Sequence, residues 1–300
     1  MNNNTLPKQN KIPRVCAIHD LSSFGRCALT VVIPALSALG IQTIPLPSAL
    51  MSTHTGGYSD IYMRALSSDM QGMYRHWKSL GVRFDAIYSG FVLDAAQGHI
   101  IDEVISEFGS PDTLVLVDPV MGDGGQLYST CTGDMKDMMR RLCARADVIT
   151  PNLTEACLLC GVPFPAHPIE SKAEAEYICS KLLSELLTLA PKVAITGVEY
   201  KDGEHEYVLT AAGTRESAHS FFSQRKIGSH YPGTGELFAS ILLGQMLGGE
   251  DFCSACEFSG SFVADTILLS EKYGYEKRFG TALEPALMKL AHDIYEKTQK

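Results

Sequence analysis

The chain has no excess of positive charge. Against 34 Asp and Glu it sets 25 Lys and Arg, a net charge of −9 over 300 residues, and no stretch gathers into a basic stripe. That argues against nucleic acid or an anionic membrane as the main partner, so an anionic ligand has to be met by a local site. No charged segment followed by an apolar one opens the sequence, and no apolar run approaches the roughly 20 residues that a bilayer crossing needs. A cytoplasmic protein is the expectation. Internal repeats, low-complexity tracts and long linkers are missing too. Beyond a disordered polar tail over residues 1–10, the simplest division is one compact domain over 11–300.

A disulfide or zinc framework is also lacking. Nine cysteines are scattered through the chain. The pairs Cys157/Cys160 and Cys253/Cys256 have C-x-x-C spacing but lie too far apart for a zinc ribbon, on stretches that read as helices. Cysteine packs readily as a small apolar side chain, so reduced, buried thiols are expected.

What is present is an alternation of short apolar runs with helical periodicity, the pattern of an α/β fold. Val15–Ile18 reads as a buried first strand, 19–25 as a polar loop, and Ala28–Leu39 as a helix containing Pro34 and ended by Gly40. Ile41–Ala49, broken by Pro45 and Pro47, suits an edge or projecting strand. In Met51–Tyr58, the residues His54 and Thr55 read as turn chemistry. Tyr62–Leu80 and Ala95–Phe108 read as helices, with a strand at Phe84–Ser89. Thr113–Val117 is apolar throughout, as a strand covered on both faces must be. Asp147–Thr150 is a short strand, and a helix follows Asn152 and closes at Gly161. Ser171–Leu189 is a helix and Val193–Ile195 a strand. An antiparallel pair spans Glu206–Thr210 and His219–Gln224 around an Ala212-Gly213 turn. Helices at Phe252–Ser270 and Ala286–Lys297 end the chain.

Three strand ends carry chemistry. Asp118-Pro119-Val120-Met121-Gly122-Asp123 follows the most apolar strand, and open α/β sheets hold their ligands at such ends. Asp118 and Asp123 suit a hydrated Mg²⁺ on phosphate, an ion that keeps waters and takes one or two carboxylates; a turn before a glycine-rich loop would use the same residues. Asn152 and Thr154 are placed to cap a helix. Thr196-Gly197 again joins a hydroxyl to a glycine.

The organising stretch is His230-Tyr-Pro-Gly-Thr-Gly-Glu-Leu-Phe-Ala-Ser240, a glycine-rich loop that runs straight into a helix. A helix N-terminus offers unpaired N–H groups and the positive end of the dipole to phosphate oxygens, while Gly233 and Gly235 admit the backbone. Glu236 would repel bound phosphate, and makes more sense as the group that takes a proton from an attacking hydroxyl. A capped helix after a turn is the plainer alternative.

Six motifs in this order resemble the ribokinase superfamily, specifically its pyridoxal kinase branch: Ile18-His-Asp-Leu-Ser-Ser-Phe-Gly25, Ser52-Thr-His-Thr-Gly56, Ser89-Gly-Phe91, Asp118 to Asp123, Thr150-Pro-Asn-Leu-Thr-Glu155 and Gly233-Thr-Gly-Glu236. The resemblance covers nearly the whole chain. It implies a three-layer α/β fold, with a central, mostly parallel sheet between helices and a few projecting strands shielding the substrate. It also implies transfer of the ATP γ-phosphoryl group to the 5′-hydroxymethyl of pyridoxal, pyridoxine or pyridoxamine. On the nucleotide side it implies roles for Asp118, Asp123, Thr150, Asn152, Glu155, Thr196, Gly197 and Thr234. Asp118 and Glu155 would serve Mg²⁺, partly through water, and Gly124 to Ser129 would form a loop over ATP. Asp20, Ala49, Thr55 and Phe91 match positions around the pyridine ring. Relatives are usually homodimers, and the resemblance leaves open a monovalent cation beside Mg²⁺.

Two departures stand out. Asp20 replaces a more usual Ser and would favour a protonated pyridine. Glu236 replaces the superfamily's catalytic Asp, which shifts the basic oxygen by about an ångström, a displacement that can cost on the order of 10²-fold in rate. Hydroxymethylpyrimidine kinase of thiamine synthesis shares these motifs and is the alternative enzyme. A relic that binds vitamer or nucleotide is the alternative outside catalysis.

Overall fold

The computed structural model of the chain describes residues 12–129, 131, 133–228 and 230–298. The polar tail expected over residues 1–10 lies outside them. The first third holds β1 (Arg14–Ile18), β2 (Leu21–Phe24), α1 (Leu29–Ala38), β3 (Gln42–Pro45), β4 (Ala49–Thr53), β5 (Met63–Ala65) and α2 (Ser67–Ser79). Then come β6 (Ala86–Ser89), α3 (Ala95–Phe108), β7 (Leu114–Val117), the short β8 (Gly122–Asp123) and β9 (Gln126–Leu127), and α4 (Gly133–Cys143). They are followed by β10 (Val148–Ile149), α5 (Leu153–Cys160), α6 (Lys172–Leu186), β11 (Lys192–Asp202), β12 (His205–Thr214) and β13 (Ser220–Arg225). The chain closes with α7 (Thr234–Leu247), α8 (Phe252–Lys272) and α9 (Leu283–Thr298).

Eight strands form one sheet in the order β13-β12-β11-β10-β7-β6-β1-β3. From β3 to β11 every pairing is parallel, and β12 and β13 return antiparallel. Alternate residues feed two cores. Ile18, Ile87, Val117, Ile149 and Ile195 pack with α2 to α6. Ala17, Tyr88, Leu116, Val148 and Ala194 pack with α1, α7 and α8 on the opposite face. Burial on both faces is why these strands read as unbroken apolar runs. The three-layer α/β fold is therefore as expected, and its parallel strands bring the ends of β1, β6, β7 and β10 to one edge.

A second sheet, β2-β4-β5, provides the projecting strands. It corrects two sequence expectations. Residues 21–24 of the polar loop form a strand because Leu21, Ser22 and Phe24 pair with β4. The helix expected from Tyr62 begins only at Ser67, because Met63–Ala65 pairs antiparallel with Ala49–Met51. A third correction concerns Ala212-Gly213, which lies inside β12 opposite Ala194 and Val193 and is not a turn. The sequence reading missed α4, although Met135, Met138, Met139 and Leu142, all buried, repeat at helical spacing.

Among the described residues one helix, α8, has the length and apolar composition to cross a bilayer, contrary to the expectation that no run approached it. Its buried side chains include Phe252, Ala255 and Cys256, which join the core against α7. Gly260, Val263, Ala264 and Ile267 line the cavity described next. All nine cysteines are free thiols.

Candidate active site

A cavity of about 1250 Å³ opens at the carboxyl ends of the parallel strands. Its wall contains Asp20, Thr55, Phe91, Asp118, Asp123, Thr150, Asn152, Glu155, Thr196, Gly197, Gly233, Thr234, Gly235 and Glu236. Fourteen of the fifteen residues singled out from sequence are thus brought together. Ala49 is the exception. It is fully buried in β4, opposite Ala65, and its strand neighbour Met51 faces the cavity instead.

Each group is set by a local device. Asp20 lies two residues beyond β1, is 5% exposed, and accepts a 2.7 Å hydrogen bond from the Ser22 hydroxyl. Burial pushes its carboxyl up to about 6, against the Ser22 bond that lowers it, and the charge of Glu236 adds to the rise. Asp118 follows β7 directly and accepts from the hydroxyl of Thr150, the residue after β10, at 3.2 Å. Burial and then the Glu236 charge raise it to about 8. Thr196 and Gly197 sit where the β11 register slips between Ile195 and Val198, with Gly197 at φ 67° and Thr196 bridged to Asn152.

Asn152 and Glu155 form a reciprocal cap on α5, so the capping role and the site role fall on the same residues. Glu155 also accepts the Met121 N–H at 3.0 Å, and Asn152 donates to the Gly122 carbonyl at 2.8 Å, which fastens the start of the β8–β9 loop to the helix. Gly125 donates to the Thr154 hydroxyl at 2.9 Å. Burial raises Glu155, then the Asp118 charge, while the N–H bonds from Asn152 and Met121 pull the other way.

The glycine-rich loop meets the turn before α1. Gly233 begins α7 at φ 83° with no side chain capping it, and a Cβ there would lie 2.3 Å from the Arg26 carbonyl oxygen. A Cβ on Gly235 would meet nothing within 4 Å. So one glycine is needed for close packing, while the other leaves backbone open to the cavity, as a phosphate cradle requires. The Glu236 Oε1 accepts from the Cys27 thiol and the Ala28 N–H, each at 3.2 Å.

Sequence reasoning missed Cys27, more than two hundred positions from Glu236, and no spacing signal could have found it. It also gave His54 only turn chemistry. His54 is buried, accepts the Gly56 N–H at Nδ1 and contacts the Arg278 carbonyl through Nε2 at 2.7 Å, which tethers the substrate-side loop to the chain's last third.

A glycine-rich helix start facing acids at the carboxyl edge of a parallel sheet is the architecture of a small-molecule phosphotransferase. Known proteins agree. The family described as phosphomethylpyrimidine kinase matches residues 33–281. The pyridoxal kinase of Bos taurus is 30% identical, with 69% of each chain covered. A Bacteroides thetaiotaomicron protein assigned as a phosphomethylpyrimidine kinase, solved with pyridoxal, superposes with a TM-score of 0.84 at 36% identity, covering 93% of this chain and 96% of that one. Pyridoxal kinase from Lactobacillus plantarum gives 0.82 at 28% identity, covering 93% and 97%. The chain belongs to this family, in the pyridoxal kinase branch of the ribokinase superfamily, and is a kinase.

Proposed function

We propose that the protein transfers the γ-phosphoryl group of ATP to the 5′-hydroxymethyl group of a vitamin B6 vitamer: pyridoxal, pyridoxine or pyridoxamine. One observation carries the reading. A single cavity joins the open glycine start of α7, the acids Glu236, Asp118 and Glu155, and the residues Asp20, Thr55 and Phe91 matched to the pyridine side. The pyridoxal in the 36%-identical neighbour supports it, and favours a vitamer over hydroxymethylpyrimidine.

In this reading Glu236 accepts the proton of the substrate hydroxyl as its oxygen attacks the γ-phosphorus in line, and the β–γ bridging bond breaks to release ADP. The N–H groups of Gly233, Thr234 and Gly235 receive the phosphate oxygens. Phe91 offers an aromatic face to the pyridine, and Asp20 favours its protonated nitrogen. No group of three or more Asp, Glu, His or Cys among the described residues is gathered to hold a metal alone. Two buried carboxylates, Asp118 and Glu155, do fit Mg²⁺, which keeps its waters and shares phosphate oxygens. When bound, the ion neutralises charge on the transferring group. The exposed Phe24, Leu50 and Met63 of the small sheet, with Tyr62 just before β5, support a homodimer through the projecting strands.

The test is ATP-dependent phosphorylation of the three vitamers and of hydroxymethylpyrimidine, with wild type beside Glu236→Gln. Turnover of a vitamer that Glu236→Gln slows by about 10²- to 10⁴-fold is the expected result. Turnover of hydroxymethylpyrimidine alone would assign the enzyme to thiamine synthesis, and binding without turnover would make it a relic.

A further inference from the structure

Glu236 is one methylene longer than the aspartate usual at this place in the family, and an additional torsion leaves its carboxylate freer to wander. Something must fix it if it is to act as a base. Two groups of the turn before α1 converge on it. The Cys27 Sγ and the Ala28 N–H both point to Oε1, each at 3.2 Å. Ala28 adopts φ 51° and ψ −130°, and it is one of two non-glycine residues at positive φ among those described. A side chain disfavours that conformation, so it persists only where its surroundings demand it. The neighbouring amides are already taken: Cys27 N–H donates to the Thr30 hydroxyl at 3.1 Å and Leu29 N–H to the Asp20 carbonyl at 3.2 Å. Ala28 alone in this turn presents its N–H to the carboxylate. Gly233 locks the turn against the motif loop, through the close approach of the Arg26 carbonyl.

We propose that Cys27 and the strained Ala28 amide form a two-point cradle that positions the Glu236 carboxylate for proton transfer, making Cys27 a positioning residue. With Oε1 engaged twice, Oε2 is the oxygen left to accept the proton. The thiol stays protonated, and therefore a donor, because burial and then the charges of Glu236 and Asp20 raise it. The inference rests on Glu236 being the base, and its test separates the two claims.

The experiment is steady-state kinetics with pyridoxal and Mg-ATP for wild type, Cys27→Ala, Cys27→Ser, Ala28→Gly, Glu236→Gln and the Cys27→Ala/Glu236→Gln double variant, with melting temperatures alongside. Cys27→Ala is expected to lower kcat by about 10- to 100-fold with the KM for ATP unchanged, the range a misplaced reacting group produces. Cys27→Ser, which keeps a donor, restores most of that loss. In the Glu236→Gln background Cys27→Ala has no further effect, because the two act as a unit. Ala28→Gly relieves the backbone, so its Tm rises while its kcat falls. A merely structural turn would move the two together.

Wild-type kcat in Cys27→Ala, beside a Glu236→Gln slowed by about 10²- to 10⁴-fold, overturns the cradle and leaves the base in place. Equal losses from Cys27→Ala in both backgrounds also overturn it, since Cys27 would then act without Glu236. A fully active Glu236→Gln overturns the base reading itself, and the cradle with it.

Discussion

Asn152 and Glu155 hold each other. The Asn152 N–H donates to Glu155 Oε2 at 2.9 Å, and the Glu155 N–H donates to Asn152 Oδ1 at 3.0 Å. Because Glu155 Oε1 also receives the Met121 N–H, both carboxylate oxygens accept from backbone amides. The pair therefore fixes the start of α5 and the loop after β7 in one stroke.

The consequence is sharp for Glu155→Gln. An amide can accept at only one of its two ends, so its NH₂ must face either the Asn152 or the Met121 N–H, donor against donor. Leaving a buried amide unsatisfied costs about 1–3 kcal/mol, and urea unfolding of the ligand-free protein should show a loss of that size. A variant as stable as wild type would mean the loop does not depend on this bond.

The two glycines of the loop before α7 should respond in opposite ways to alanine. At Gly233 the Cβ meets the Arg26 carbonyl oxygen at 2.3 Å and the residue sits at φ 83°, so Gly233→Ala is expected to lose folded stability by about 1 kcal/mol or more. At Gly235 the Cβ enters open space within a helix, so Gly235→Ala gains about 0.5–1 kcal/mol. Its methyl group nevertheless stands where phosphate oxygens approach. Thermal melts should therefore rank Gly235→Ala above wild type, while its KM for ATP rises severalfold.

Much of this was legible in the sequence, for physical reasons. Strands buried on both faces leave unbroken apolar runs, and helix ends leave caps such as Asn152 and Gly161, so the three-layer fold and most of the cavity wall could be read in chain order. What could not be read depends on pairing across distance. Met63–Ala65 has helix-compatible composition and becomes a strand only because Ala49–Met51 lies beside it. Resemblance puts Ala49 on the substrate side; it shares the buried face of β4 with Met51, two residues on, and only the longer Met51 side chain reaches the cavity wall. Cys27 meets Glu236 through the approach of two helix starts, which no local pattern encodes.

Acid should destabilise the protein in part through His19. Its ring is fully buried edge-on against Tyr88, with centroids 4.3 Å apart, and neither nitrogen has a hydrogen-bond partner among the described residues. Burial lowers its pKa from 6.5 to about 3. Above pH 6.5 the ring is neutral folded or unfolded, and pH has no leverage. Between pH 6.5 and about 3 only the unfolded chain takes the proton, so stability falls by about 1.4 kcal/mol per pH unit from this group. His19→Leu removes the term. Its advantage over wild type in urea should widen from pH 6 to pH 4 and stay flat from pH 7 to pH 8. Comparing the pair cancels the carboxylates that titrate in the same range.

The last expectation runs against the family's habit. Restoring the usual acid with Glu236→Asp looks like a repair, but here the carboxylate is held through its Oε1 by Cys27 and Ala28, at 3.2 Å each. Shortening the side chain by a methylene withdraws the acid by about an ångström from donors that the close Gly233–Arg26 contact prevents from following, and a shift of that size can cost on the order of 10²-fold. Glu236→Asp is thus expected to be about 10- to 100-fold slower in kcat on pyridoxal, with ATP binding unchanged. A faster Glu236→Asp would show that the turn before α1 suits the shorter acid and that the longer one is a defect the site tolerates.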